Sequence, residues 1–148
     1  MPVTNTHERI SEIAADAVVV GIHTESPLAG PAAEFDRAAD GLLSRLIEAK
    51  EVSAKKCETS LLLAPPGIKA KLALVVGLGP KDGMDRGIGF RAAAAAAKTL
   101  AAKERGKVAF YAAENRPGEI LEAGVCGSIV GCVGQDLYRA KKNRFPLT

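Results

Sequence analysis

The stretch from Lys71 to Leu100, KLALVVGLGPKDGMDRGIGFRAAAAAAKTL, constrains the fold more than any other part of the chain. It reads as a buried strand, a glycine turn and an alanine-rich helix in immediate succession, the repeating unit of an α/β protein. With 148 residues the chain fits a single domain, large enough to bury a core without help from a metal or a disulfide. A second constraint is negative: no group of His, Cys, Asp or Glu in the sequence has the spacing of a metal site, and no Ser or Cys has that of a catalytic triad.

Strand and helix signals alternate along the rest of the chain. Ala17 to Ile22 (AVVVGI) is a continuous apolar, β-branched run, the pattern of a strand covered on both faces. Pro31 suits the first turn of a helix, where its missing N–H costs nothing. Phe35, Ala38, Ala39, Leu42, Leu43, Leu46 and Ile47 then recur at helical spacing and predict one amphipathic helix. Thr59 to Ala64 and Leu72 to Val76 are two short strands separated by too few residues for a parallel crossover, so they predict an antiparallel hairpin in a mixed sheet. Asp82 or Asp85 caps the following helix, which runs to about Lys103 with Gly106 placed to end it. Lys107 to Ala112 supplies another strand, and an extra strand around Arg9 to Ile13 is a further expectation.

The last helix is expected from about Pro117 to Tyr138, and it contains Gly124, Gly127, Gly131 and Gly134. Each costs about 1 kcal/mol relative to Ala inside a helix, so close packing of their smooth strip against another element has to compensate. The alternative is that the helix breaks between Gly131 and Gly134. The order is βαββαβα, giving an α/β fold of three layers, α/β/α, around a mixed central sheet. Residues 1–136 form the single domain, and residues 137–148 read as a basic exit linker.

Charge is concentrated at that end. Arg139, Lys141, Lys142 and Arg144 follow Asp136, the last acidic residue, and removing those four from a net charge of +3 leaves a body of −1. Nucleic-acid binding would therefore depend on the tail alone, with weak and strongly salt-dependent affinity. The three cysteines, Cys57, Cys126 and Cys132, are an odd number among apolar neighbours, which argues against a secreted disulfide framework and fits a reducing cytoplasm. The start, MPVTNTHERISEI, lacks the basic and apolar regions of a signal peptide, and Ile120 to Val133 is too short to span a bilayer.

The candidate sites each have a structural explanation. Gly77-Leu78-Gly79 follows a strand, but Asp82 stands where a dinucleotide fingerprint needs a small residue, so these glycines read as a tight turn. His7 and His23 have no ligand partners at suitable spacing and read as exposed loop residues. Cys126 and Cys132 lie on different faces of a helix and read as packing residues. Ser26, Ser44, Ser53, Ser60 and Ser128 show no nucleophile elbow, and Asp36 and Asp40 read as a solvated helix surface beside Arg37 and Arg45. Catalytic, cofactor-binding and metal-ligating residues are accordingly expected to be none.

Six fragments in order then carry a resemblance: Ala15-Asp16-Ala17-Val18-Val19-Val20-Gly21, Phe35-Asp36 with Gly41-Leu42-Leu43, Lys55-Lys56-Cys57-Glu58-Thr59, Val75-Val76-Gly77-Leu78-Gly79, Arg91-Ala92-Ala93-Ala94 and Leu137-Tyr138-Arg139. Together they resemble the amino-terminal, macro-domain-like domain of the leucyl aminopeptidase (cytosol aminopeptidase) family. The resemblance implies a cytoplasmic, hexameric parent whose separate carboxyl-terminal domain holds two divalent ions, zinc or manganese, and performs the peptidase chemistry. The family signature NTDAEGR has no counterpart here, so no catalytic role transfers to any residue and no cofactor is expected in this chain. The implied partners are the parent's own catalytic domain and further copies, with assembly or regulation as the domain's role. A stand-alone module binding ADP-ribose is the competing class, because Asp16-Ala17-Val18-Val19 resembles the start of the macro-domain strand motif, although Val20-Gly21-Ile22-His23 replaces its N-A-A-N.

Overall fold

Covering a strand on both faces requires a layer of helices on each side, and the structure, a computed structural model describing residues 3–25, 28–112 and 116–133, has that architecture. The elements in chain order are β1 (Ala17–His23), α1 (Pro31–Ala38), α2 (Leu42–Glu48), β2 (Thr59–Leu63), β3 (Leu72–Gly79), a 3-10 turn (Lys81–Gly83), α3 (Arg86–Leu100), β4 (Val108–Tyr111) and α4 (Gly118–Val133). The four strands lie in the order β2-β3-β1-β4. β1 pairs in parallel with both β3 and β4, and β2 is antiparallel to β3, so the predicted mixed sheet with its hairpin is present.

Alternation along β1 sorts its side chains into two cores. Val18, Val20 and Ile22 meet Ala32, Phe35 and Leu43 of α1 and α2 on one side. Ala17 and Val19 join Leu72, Leu74 and Val76 of β3 on the other, under Ala92, Ala96 and Leu100 of α3. Cys132 of α4 reaches the same second core. The helices of the two layers thus bury opposite faces of one sheet.

Four expectations are corrected. The single helix from Phe35 to Ile47 is two helices, because Asp40 (φ 56°) and Gly41 (φ 75°) take left-handed backbone between them. Asp36 fixes that joint by accepting hydrogen bonds from the N–H and hydroxyl of Ser44, at 2.8 and 2.6 Å. It is a half-buried joint residue, not part of a solvated acidic face. Arg9 to Ile13 is a turn in which the Ile13 N–H bonds to the Arg9 carbonyl, and it serves to bury Ile10 and Ile13. α3 stops at Leu100 without using Gly106, whose N–H is directed to the Asp16 carboxylate at 2.6 Å. Of the two proposed caps for α3, Asp85 is the one that accepts from the Ile88 N–H, at 2.8 Å.

The turn reading holds for Gly79, which ends β3 with a left-handed φ of 72°, but is corrected for Gly77, which lies within β3 just before the register shift opposite Ile22 and His23. Gly77 is glycine because a Cβ there would lie 1.9 Å from the Lys55 carbonyl oxygen of the crossing 53–57 loop. Close backbone approach, not a phosphate-binding turn, accounts for the residue.

Candidate interaction surface

α4 is apolar over most of its circumference, interrupted by the exposed Glu119 and Glu122, a pattern that needs cover on more than one side. Its first turn closes on the Pro117 carbonyl, which accepts from the N–H groups of Ile120 and Leu121. The inner side lies on α3, with Gly127 and Gly131 directly over the carbonyls of Phe90 and Ala94: a Cβ at either glycine would stand 2.1 or 2.3 Å from those oxygens. The predicted glycine strip is therefore a helix–helix seam, and α4 runs unbroken through Gly131 to Val133. Gly134 and the expected helix end near Tyr138 lie outside the described residues, as does the basic segment 137–148.

The outer side of α4 is apolar and open. Leu121, Val125 and Ile129 recur at i, i+4 and i+8 and are 43, 39 and 44% exposed, with Val130 beside them at 50%. Phe110 on β4 is 41% exposed, and its pairing with Val19 directs it to the α3 and α4 side of the sheet. Among the described residues β4 is an edge strand, so the helix stripe and this aromatic belong to one margin of the domain. A single exposed Leu means little, but three aliphatic residues in one helical stripe, with Val130 exposed further round the helix, make a candidate contact surface.

The remaining candidates separate around this surface. Cys132 is buried in the core, as a packing residue should be, but Cys126 is exposed among the outward residues of α4, because six residues along a helix put the two about a third of a turn apart. Ser128 is buried and spends its hydroxyl on the Val125 carbonyl, while Ser53 donates nothing beyond its loop and accepts from the Lys55 N–H. Ser60 lies on β2, and Ser26 falls outside the described residues. A shallow cleft of about 340 Å³ between α3 and α4 is lined by Arg86, Gly87, Phe90, Glu122, Ala123 and Cys126. Among the described residues no group of three or more His, Cys, Asp or Glu side chains converges as a metal site would require.

His7 is exposed, but His23 is not the loop residue expected. It ends β1 and is buried, with Nδ1 3.1 Å from the Gly79 carbonyl oxygen and Nε2 3.4 Å from the Arg116 guanidinium. A carbonyl only accepts, so Nδ1 carries the proton and Nε2 receives the Arg116 N–H. Burial lowers the pKa of His23 below its ordinary value, the Gly79 contact opposes this, and the Arg116 charge adds to it. The sequence missed this residue because its partners are 56 and 93 positions away. Val20 and Ile22, which replace part of the macro-domain amide motif, point into the core.

At the opposite end of the sheet, Asp16 ties three segments together. It accepts from Lys71 Nζ at 2.7 Å and from the N–H groups of Gly106 and Lys107 at 2.6 and 3.2 Å. These hydrogen bonds, the one from Lys71 foremost, lower its pKa from 3.8 to about 2. The group is structural: it holds the entries of β1, β3 and β4 in register.

The fold is thus that of a three-layer α/β domain with a mixed sheet, whose polar clusters at Asp16 and His23 serve its own strand ends. The particular family follows from comparison with known proteins. Residues 19–142 match the family described as the cytosol aminopeptidase family, N-terminal domain, and the chain belongs to that family. It is 35% identical over 159 aligned positions to a probable cytosol aminopeptidase of Streptomyces avermitilis, covering 93% of this chain and 30% of the relative. A second relative, from Streptomyces coelicolor, is 34% identical, with 85% of this chain and 25% of the relative covered. The chain thus spans under a third of the length of either. Among solved structures, the bottromycin maturation enzyme BotP shares the fold with a TM-score of 0.61 at 23% identity, over 91% of this chain and 26% of that one.

Proposed function

We propose that this chain is the non-catalytic amino-terminal domain of a cytoplasmic, metal-dependent leucyl aminopeptidase, serving assembly or regulation of a hexameric parent that releases amino-terminal residues from peptides. The observation that carries the reading is the family match over residues 19–142, joined to coverage of only 30 and 25% of the two Streptomyces relatives. What remains of those relatives is long enough to hold a separate catalytic domain.

The donor chemistry of the described residues supports placing the reaction elsewhere. Two divalent ions need several convergent carboxylates or imidazoles, and His23, Asp16 and Asp36 are committed to strand ends and a helix joint. Zinc or manganese would belong to the larger domain, where it would activate water and polarise the peptide carbonyl.

The test begins with the coding sequence past the Thr148 codon. Continuation into a region bearing NTDAEGR supports the reading, and a stop codon overturns it. The longer protein should then hydrolyse a leucyl amide with manganese or zinc supplied, whereas the 148-residue chain should not. Sustained turnover by pure 148-residue chain would refute the non-catalytic assignment.

A further inference from the structure

We infer that the outward face of α4, built from Leu121, Val125, Ile129 and Val130, is covered in the parent protein by the polypeptide that follows this domain in the same chain. This rests on the reading above, that such a polypeptide exists. Three observations select this occupant over a second copy of the domain.

The first is area. Side chains that are 39 to 50% exposed leave an open apolar patch of a few hundred Å² at most. A stable interface between free proteins buries about 800 Å² on each partner, so this stripe falls well short of holding two copies together unaided. A tethered neighbour meets the patch at an effective concentration in the millimolar range, where a small apolar contact is enough.

The second is position. α4 is the last described element of the chain, and the relatives extend well beyond the 30 and 25% of their length that this chain covers. The third is the rigidity of the platform. Gly127 and Gly131 lock α4 to the α3 backbone, so the stripe keeps its geometry without a partner. Charged residues flank the stripe on the Cys126 side only: Glu119 and Glu122 are exposed on α4, and Arg86 of α3 lines the cleft beside Glu122 and Cys126. The occupant should therefore present aliphatic or aromatic side chains with little charge.

Cys126 provides a built-in probe, being exposed one turn before Ile129 and Val130, whereas Cys132 is buried. The experiment follows modification of Cys126 by a maleimide, located by peptide mass, in the 148-residue chain and in the longer parent. Labelling in the short chain should be fast and independent of protein concentration, and labelling in dilute parent should be at least about tenfold slower, as expected for a site opened only by local undocking. Ile129→Gln in the parent should restore fast labelling, and because Ile129 is exposed in the domain the substitution leaves the fold intact.

Equal labelling in both proteins overturns the inference. So does protection in the short chain that grows with its concentration, which would assign the face to a second copy, and so does protection in the parent that Ile129→Gln leaves unchanged. Assaying the same parent preparation on a leucyl amide separates the two proposals. Turnover with unprotected Cys126 sinks only the docking, and protection without turnover sinks only the peptidase reading.

Discussion

Alanine substitution of the α4 glycines should split by sign within a single helix. Replacing a mid-helix Gly by Ala gains about 1 kcal/mol of helix propensity when nothing else changes. Gly124 meets that condition, since a Cβ there finds its nearest neighbours, Ala93 Cβ and the Gly89 carbonyl oxygen, at 3.9 Å, an ordinary contact distance. Gly127 does not. Its Cβ would stand 2.1 Å from the Phe90 carbonyl oxygen, and reaching even 3.4 Å requires α3 and α4 to separate by roughly 1 Å along that line. A gap of that size forfeits a quarter to a half of each dispersion contact along the seam. Overpacking of this kind costs about 1 to 3 kcal/mol and here strikes unyielding backbone, so the upper end applies and about 2 kcal/mol of net destabilisation remains after the propensity gain. Gly131, at 2.3 Å from the Ala94 carbonyl oxygen, should behave in the same way. For a chain of this length, thermal denaturation followed by circular dichroism should show Gly124→Ala raising Tm by about 2 to 4 °C and Gly127→Ala lowering it by about 4 to 8 °C. Urea midpoints should move in the same directions with unchanged slope. Equal shifts of one sign for Gly124→Ala and Gly127→Ala would refute the seam as the reason for the glycines.

Other perturbations address the strand ends and caps. Asp16→Asn should weaken the domain by about 1 kcal/mol near neutral pH once solvent screening is allowed for, measured by urea unfolding. The folded pKa of Asp16 is lowered from 3.8 to about 2, so its contribution is present above pH 4 and disappears as pH falls toward 2; Asp16→Asn should flatten the stability profile in that window. His23 works at higher pH: because its folded pKa lies below 6.5, the unfolded chain binds the extra proton first, and stability should fall as pH drops below about 6.5. His23→Gln should remove that slope in a series of Tm measurements, and an unchanged slope would show that the ring is not held neutral. Asp85→Ala removes the side chain that accepts from the Ile88 N–H and should cost α3 about 1 kcal/mol by chemical denaturation.

Patterns carried by neighbouring residues were legible in the sequence. The runs Ala17 to Ile22 and Leu72 to Val76 declare buried strands because their positions are apolar or glycine, and the short link between β2 and β3 favours an antiparallel pairing. The α/β class, the mixed sheet, a cap at Asp82 or Asp85 and the need for a close neighbour to the α4 glycines all follow from such local rules, and the ordered fragments carried the family.

What tertiary structure alone decided concerns residues whose meaning depends on distant atoms. Asp36 became a helix joint through Ser44, Gly77 a crossing point through Lys55, and His23 a neutral, buried ring through Gly79 and Arg116. The interaction surface has the same origin. A helix with so few polar residues announces that it needs cover, but only packing on α3 determined that Gly127 and Gly131 face inward and that Leu121, Val125, Ile129 and Val130 remain open. Periodicity fixes which side chains share a face, whereas the choice of face to bury is a competition among contacts made by residues far apart in the chain, settled here by backbone approaches that glycine alone permits.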